Sequence, residues 1–127
     1  MLTDSFSNNY ESVFLRMVSE GYKLVIWGTG REFEKTQKRY FRINDAAYAV
    51  DNNKRLWGSE VNGLQIKPPN VLKEENRDNI VVLIVSQHLF SIEKQLIEFG
   101  IKHYFASLLF LDRYIINHDV STIILKN

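Results

Sequence analysis

The chain has 127 residues, 45% of them apolar and 24% charged, and a formal net charge of +1. That length suits one domain with a real core, and so small a charge gives no long-range attraction to nucleic acid or to an anionic membrane. With no cysteine present, disulfides, thiolate nucleophiles and Cys-based metal sites are excluded.

The opening residues, Met1-Leu2-Thr3-Asp4-Ser5, lack the basic and apolar regions of a signal peptide. No apolar run approaches the length needed to cross a bilayer. The expectation is a cytoplasmic chain without a direct membrane span. Tyr10, Val13, Phe14, Met17 and Val18 recur at helical spacing, which predicts a bracing helix over residues 8 to 20, stopped by Gly21.

Lys23 to Trp27 is a short apolar run with no polar face, as a buried parallel strand requires. It is followed by Gly28-Thr29-Gly30-Arg31 and then by helical spacing to about Ile43. The order strand, glycine turn, helix start is the frame of a phosphate site. Gly28 lets the chain leave the strand tightly, and the missing Cβ of Gly30 lets a bulky anion approach the backbone. Arg31 stands at a helix start, where a cation opposes the dipole unless a bound phosphate relieves it. Phe33, Tyr40 and Phe41 are assigned to the core. Arg31, Lys35, Lys38, Arg39 and Arg42 form a stripe read as a solvated face rather than a polyanion contact.

Ala46 to Val50 reads as the second strand, ending at Asp51. Asn52 to Gly63 is turn-rich, with Trp57-Gly58 and Asn62-Gly63 as breakers. Leu64 to Ile66 reads as a third strand, and Pro69 opens a short helix to Glu75. Ile80 to Val85 is the most apolar run and the expected central strand. Leu89 to Phe99 is helical, Ile101 to Phe105 the last parallel strand, Leu108 to Asn117 a further helix, and Val120 to Leu125 an apolar edge or interface.

Alternating strands and helices imply a three-layer α/β fold of Rossmann type, one domain over residues 1 to 127. Residues 1–21 brace it, 22–106 form its core, and 107–127 supply a helix and an apolar tail. The expected strand order is 3-2-1-4-5, with right-handed crossovers and a mostly parallel sheet. The first and fourth strands then flank the switch point, and Gly28 to Arg31, Asp51 to Asn53 and Ser86 to His88 converge above it.

Asp51 follows Gly30 by 21 residues, the spacing at which an acid accepts from a ribose hydroxyl in dinucleotide sites. A turn-capping aspartate is the other reading. Lys54 and Arg55 suit either an extra phosphate or a solvated loop. The candidate ligand-binding set is Gly28, Thr29, Gly30, Arg31, Asp51, Asn52, Ser86 and Gln87. His88 is the one candidate for acid–base work, against a role as a loop or cap residue. His103 and His118 read as structural or exposed, and no metal site is expected. Phe33 stands where the dinucleotide fingerprint asks for a small residue, so it either holds the helix off the sheet or packs the gap. Thr29 and Glu34 occupy both glycine positions of a P-loop, which excludes that motif.

Val25-Ile26-Trp27-Gly28-Thr29-Gly30, Val50-Asp51-Asn52-Asn53, Trp57-Gly58, Val61-Asn62-Gly63-Leu64-Gln65-Ile66, Pro68 and Pro69 with Val71-Leu72, Ile80 to Val85 and Leu96 to Ile101 together give a recognisable order. Over residues 22 to 106 it resembles the Rossmann-like domains of bacterial surface-polysaccharide enzymes, such as sugar O-acyltransferase N-terminal domains and the soluble domains of nucleotide-sugar epimerases and dehydratases. The resemblance implies a nucleotide, nucleotide-sugar or NAD(P) ligand held at Gly28, Gly30 and Asp51. Neither a hexapeptide-repeat region nor a Tyr-x-x-x-Lys pair follows, so the expectation is a binding module without a complete catalytic constellation. The competing expectations are an interaction or regulatory domain with a vestigial pocket, a small complete enzyme using His88, and a fragment of a larger sugar-modifying transferase. A small molecule is the expected partner, with a homodimer or a longer parent polypeptide behind it and no nucleic acid.

Overall fold

The computed structural model describes residues 4–31, 33–40 and 45–107. Helix α1 (Asp4–Ser19) leads into strand β1 (Lys23–Trp27), then α2 (Phe33–Tyr40) and β2 (Ala46–Val50). A 3₁₀ turn (Lys54–Leu56), strands β3 (Glu60–Val61) and β4 (Leu64–Lys67) and a second 3₁₀ segment (Pro69–Glu74) follow. Strand β5 (Ile80–Ile84), helix α3 (Leu89–Glu98) and strand β6 (Tyr104–Ala106) close the described part.

The sheet runs β3-β4-β2-β1-β5-β6. All neighbours are parallel except the short β3-β4 hairpin. Setting β3 aside, this is the expected mostly parallel 3-2-1-4-5 order. Glu60–Val61 escaped sequence reading because two polar-flanked residues show no alternation. It forms because Asn62 and Gly63 both adopt positive φ, at 49° and 89°, which a two-residue hairpin turn demands. The last strand begins three residues later than expected: Ile101 is buried, but the ladder starts only at Tyr104.

β1 is the spine. It lies between β2 and β5, with Trp27 opposite Val50 on one side and Ile84 on the other. β5 is buried at every position. Alternate side chains serve opposite layers. Phe105 meets Phe14 of α1 edge-on at 5.4 Å, while Tyr104 donates to Glu93 of α3 at 2.8 Å. Trp27 stacks with Phe99 just beyond α3, at 6.3 Å. Phe33 is 1% exposed: it packs the gap between α2 and the sheet instead of closing the crevice above.

The opposite flank of the sheet carries a charged cluster. Tyr48 donates to Glu75 at 2.5 Å, and Lys23 pairs with Glu75 at 2.9 Å. Lys67 lies 4.5 Å from the Tyr48 ring centre. Burial alone would raise the Glu75 carboxyl, but the bonds from Tyr48 and Lys23 outweigh it and hold the group below its ordinary range. Burial and the Glu75 carboxylate push the Tyr48 phenol far upward. His103, edge-on to Tyr22 at 5.5 Å, is pushed down by burial.

Residues 41 to 44 and 108 to 127 lie outside the described residues, and with them Phe41, Arg42, His118, the expected helix from Leu108 and the apolar segment from Val120. Helix α1 begins at Asp4, four residues before the expected start, because the polar residues Asp4 to Ser7 are themselves helical.

Candidate functional site

The register of the three central strands brings their carboxyl ends out at one level. Gly28 N donates to the Val50 carbonyl at 3.0 Å, and Val85 N donates to the Trp27 carbonyl at 2.8 Å. Gly28, Asp51 and Val85 are therefore the first residues beyond the sheet on neighbouring strands. Gly28 has φ +111°, and a Cβ there would run into the Val85 carbonyl. Only glycine fits, for both reasons. Gly30 differs. No atom lies within 4 Å of an added Cβ, so the space beside it is open.

Above this level lies a cavity of about 540 Å³, lined by Gly28, Thr29, Gly30, Arg31, Asp51, Val85, Ser86, Gln87 and His88. That volume falls in the range of small-molecule sites. A second cavity of about 130 Å³ shares Gly28, Asp51, Ser86 and His88 and adds Trp27, Asn52, Ser91 and Ile92. The three separated stretches do meet. Every residue of the sequence-derived set lines one of the two cavities, and Phe33 lines neither.

Asp51 ties the mouth together. Its Oδ2 accepts from the Thr29 amide at 3.0 Å and from the Thr29 hydroxyl at 2.9 Å. Its Oδ1 accepts from the Asn53 amide at 2.9 Å. The two readings of Asp51 are thus not exclusive: it caps its own turn with Oδ1 and clasps the glycine turn with Oδ2. Each carboxylate oxygen has two lone pairs, so Oδ1 keeps one for a further donor. No cation pairs with Asp51 among the described residues, and Arg31, exposed at the same mouth, has no anionic partner among them.

The third stretch is a small polar loop. The Ser86 hydroxyl accepts from the His88 amide at 3.1 Å, fixing the entry to α3. The His88 carbonyl accepts from Ile92 N and the Ser91 hydroxyl, each at 3.2 Å. Its imidazole does not cap the helix and bonds to no carboxylate among the described residues. His88 therefore has the position proposed for acid–base work but no orienting partner for it. No cluster of three or more His, Asp or Glu suited to a metal occurs among the described residues.

The loop after β2 adds what sequence reading left as a turn. Asn53 caps the 3₁₀ turn by accepting from Arg55 N. The Trp57 indole, 36% exposed, donates to the Asp51 carbonyl at 2.7 Å. Lys54 and Arg55 are exposed. Ser91 and Ile92, on the first turn of α3, were missed as cavity residues because their helical spacing marked them only as surface and core.

The family model described as C2185-like, N-terminal, matches residues 20–105. The chain belongs to that family. The matched segment runs from the end of α1 to β6 and so contains the whole crevice. No curated protein matches the sequence. Among solved structures, RSP in complex with β-NAD⁺ and operator DNA superposes with a TM-score of 0.53 at 12% identity, covering 94% of this chain and 66% of that one. RSP, a Rex-family repressor, gives 0.49 at 17% identity, over 78% of this chain and 50% of that one. UDP-D-quinovosamine 4-dehydrogenase from Vibrio fischeri gives 0.48 at 19% identity, over 73% and 84%. The chain thus spans half the length of the Rex-family repressor it matches. At these identities the likeness is one of fold, a Rossmann-like α/β domain. No helix among the described residues is long and apolar enough to cross a membrane.

Proposed function

We propose that this C2185-like domain binds a nucleotide of the NAD(H) class across the carboxyl ends of β1, β2 and β5. The observation that carries the reading is the cavity of about 540 Å³, lined by an open glycine turn and by the Asp51 that clasps it. The amides of Gly30 and Arg31 donate to no group among the described residues, which leaves them for a pyrophosphate. Arg31 supplies the countercharge. The spare lone pair of Asp51 Oδ1 accepts one ribose hydroxyl. RSP, which shares the fold, was crystallised with β-NAD⁺, in agreement with this class of ligand.

The finer reading, a nucleotide-sugar in surface-polysaccharide biosynthesis, rests on the sequence resemblance. We assign no reaction, because the His88 imidazole bonds to no carboxylate among the described residues. The expectation of no nucleic-acid partner is not carried forward, since RSP was also crystallised on operator DNA. One observation favours a second reading, an interaction domain with a vestigial pocket: the Thr29 amide, the first donor of the turn, is taken by Asp51.

Thermal-shift titration with NAD⁺, NADH, NADP⁺, ADP, UDP, CoA and UDP-glucose separates the two. Stabilisation by adenine or uracil nucleotides that persists at moderate salt supports the binding module. Silence across the panel supports the interaction domain.

A further inference from the structure

The crevice is divided, and its two parts differ in charge. The larger cavity, about 540 Å³, alone reaches Thr29, Gly30 and Arg31. The smaller, about 130 Å³, alone reaches Trp27, Asn52, Ser91 and Ile92. Gly28, Asp51, Ser86 and His88 line both. Arg31 and the glycine turn therefore serve the larger part, while neither lysine nor arginine lines the smaller one. An anion placed in the smaller part would face the Asp51 carboxylate without either cation to offset it, and like charges brought together cost free energy.

The smaller cavity has the make-up of a seat for an uncharged ring. Trp27 and Ile92, 1% and 2% exposed, give it apolar ground, and Asn52, Ser86 and Ser91 give it neutral hydrogen-bonding residues. A nucleobase has the same double character, with a π face and a polar edge. The lining is also set in advance. Trp27 stacks with Phe99 at 6.3 Å, the Ser86 hydroxyl accepts from the His88 amide at 3.1 Å, and the Ser91 hydroxyl donates to the His88 carbonyl at 3.2 Å. Binding there quenches little motion. At the packing density of a protein interior, roughly 0.74, a cavity of about 130 Å³ holds about 100 Å³ of atoms. That is room for one base and not for a base with its ribose.

We infer that the smaller cavity is the base subsite of the ligand and that Ser91 limits its room. The inference rests on the nucleotide reading above and adds to it the direction in which the ligand lies. Asp51, shared by both cavities, holds the ribose where they join. The phosphates lie toward Gly30 and Arg31, and the base lies toward the first turn of α3. Ser91 is exposed on that turn, so its side chain can be enlarged without entering the core.

The test is calorimetric titration of the full chain with AMP, UMP and ribose 5-phosphate, for wild type, Ser91→Leu, Ser91→Gln and Arg31→Ala, with thermal melts beside them. Wild type should bind the better-fitting nucleotide about tenfold more tightly than ribose 5-phosphate, the scale of burying one ring face. Each Ser91 variant should lose that advantage, keep its affinity for ribose 5-phosphate and melt with the wild type. Two enlarging variants are used so that misfolding of one leaves the other to decide. Arg31→Ala should weaken all three ligands by a similar factor. Three results overturn the base subsite: equal wild-type affinity with and without a base, undiminished nucleotide binding in the folded Ser91 variants, or equal weakening of ribose 5-phosphate in them. In each of these, ribose 5-phosphate binding that Arg31→Ala weakens leaves the phosphate cradle standing. If none of the three ligands binds wild type, the nucleotide reading fails and the base subsite with it.

Discussion

Two half-buried carboxylates fasten neighbouring segments, Glu75 through Lys23 and Tyr48 and Asp51 through Thr29, and they are treated differently. Glu75, on the flank, meets a lysine and a phenol and is closed off by them. Asp51, at the mouth, receives only neutral donors among the described residues, two from Thr29 and one from Asn53. The cation nearest in purpose, Arg31, lines the same cavity and makes no ion pair with it. Both carboxylates are half-buried, so the partner is what separates them: Glu75 is neutralised where it sits by Lys23, whereas Asp51 is braced by amides and a hydroxyl and has no cation paired with it among the described residues. The contrast agrees with the ligand site proposed at the mouth and makes the flank a fastening.

The sharpest way to break the mouth is at its floor. Gly28→Ala puts a Cβ onto the Val85 carbonyl at a φ that L-residues avoid. It should cost about 3 kcal/mol or more, read as a large fall in Tm.

The flank should respond next. Glu75→Gln leaves a buried tyrosine and a lysine without their ionised partner and should cost about 1 to 2 kcal/mol at neutral pH, by urea denaturation. Because the folded Glu75 carboxyl lies below its ordinary value, its contribution is fully present above the unfolded carboxylate pKa. It fades as the pH falls through the lowered folded value. The stability gap between wild type and Glu75→Gln should therefore shrink on acidification. A gap that widens in acid would show that Glu75 is not held by Tyr48 and Lys23.

Thr29→Val removes the hydroxyl from Asp51 and keeps the amide. About 1 kcal/mol of stability should go, together with part of any nucleotide affinity, since Asp51 loses one of the donors that orient it. Smallest in stability is Gly30→Leu. Its side chain enters open space, so the change should stay within about 0.5 kcal/mol.

These residues also show what was legible in advance. β5 came out within one residue of its expected bounds because a fully buried parallel strand is an unbroken apolar run, and β2 came out at its expected bounds with only its last three residues buried. The meeting of Gly28, Asp51 and Ser86 followed from strand order alone. The short β3 hangs on the Asn62-Gly63 turn and shows no alternation of its own, the shift of β6 on where its ladder with β5 begins, and the 3₁₀ form of Pro69–Glu74 on local backbone bonds that side-chain spacing does not encode. Phe33 left two packings open in sequence, and only its burial in the core, 1% exposed, decided between them. The Asp51–Thr29 clasp and the indole bond of Trp57 join residues 22 and 6 positions apart through orientation rather than spacing, and nothing in residue order announces them.

Gly30→Leu also gives the most direct test of the nucleotide cradle, because it fills the cavity wall and leaves the fold alone. Calorimetric titration of wild type and Gly30→Leu with NADH, ADP and UDP, beside their thermal melts, reads both at once. The cradle predicts a saturable, single-site heat in wild type and its loss in a variant that melts at the same temperature. Undiminished binding to Gly30→Leu would place the ligand elsewhere, and no binding to either protein would leave the crevice without a nucleotide to hold.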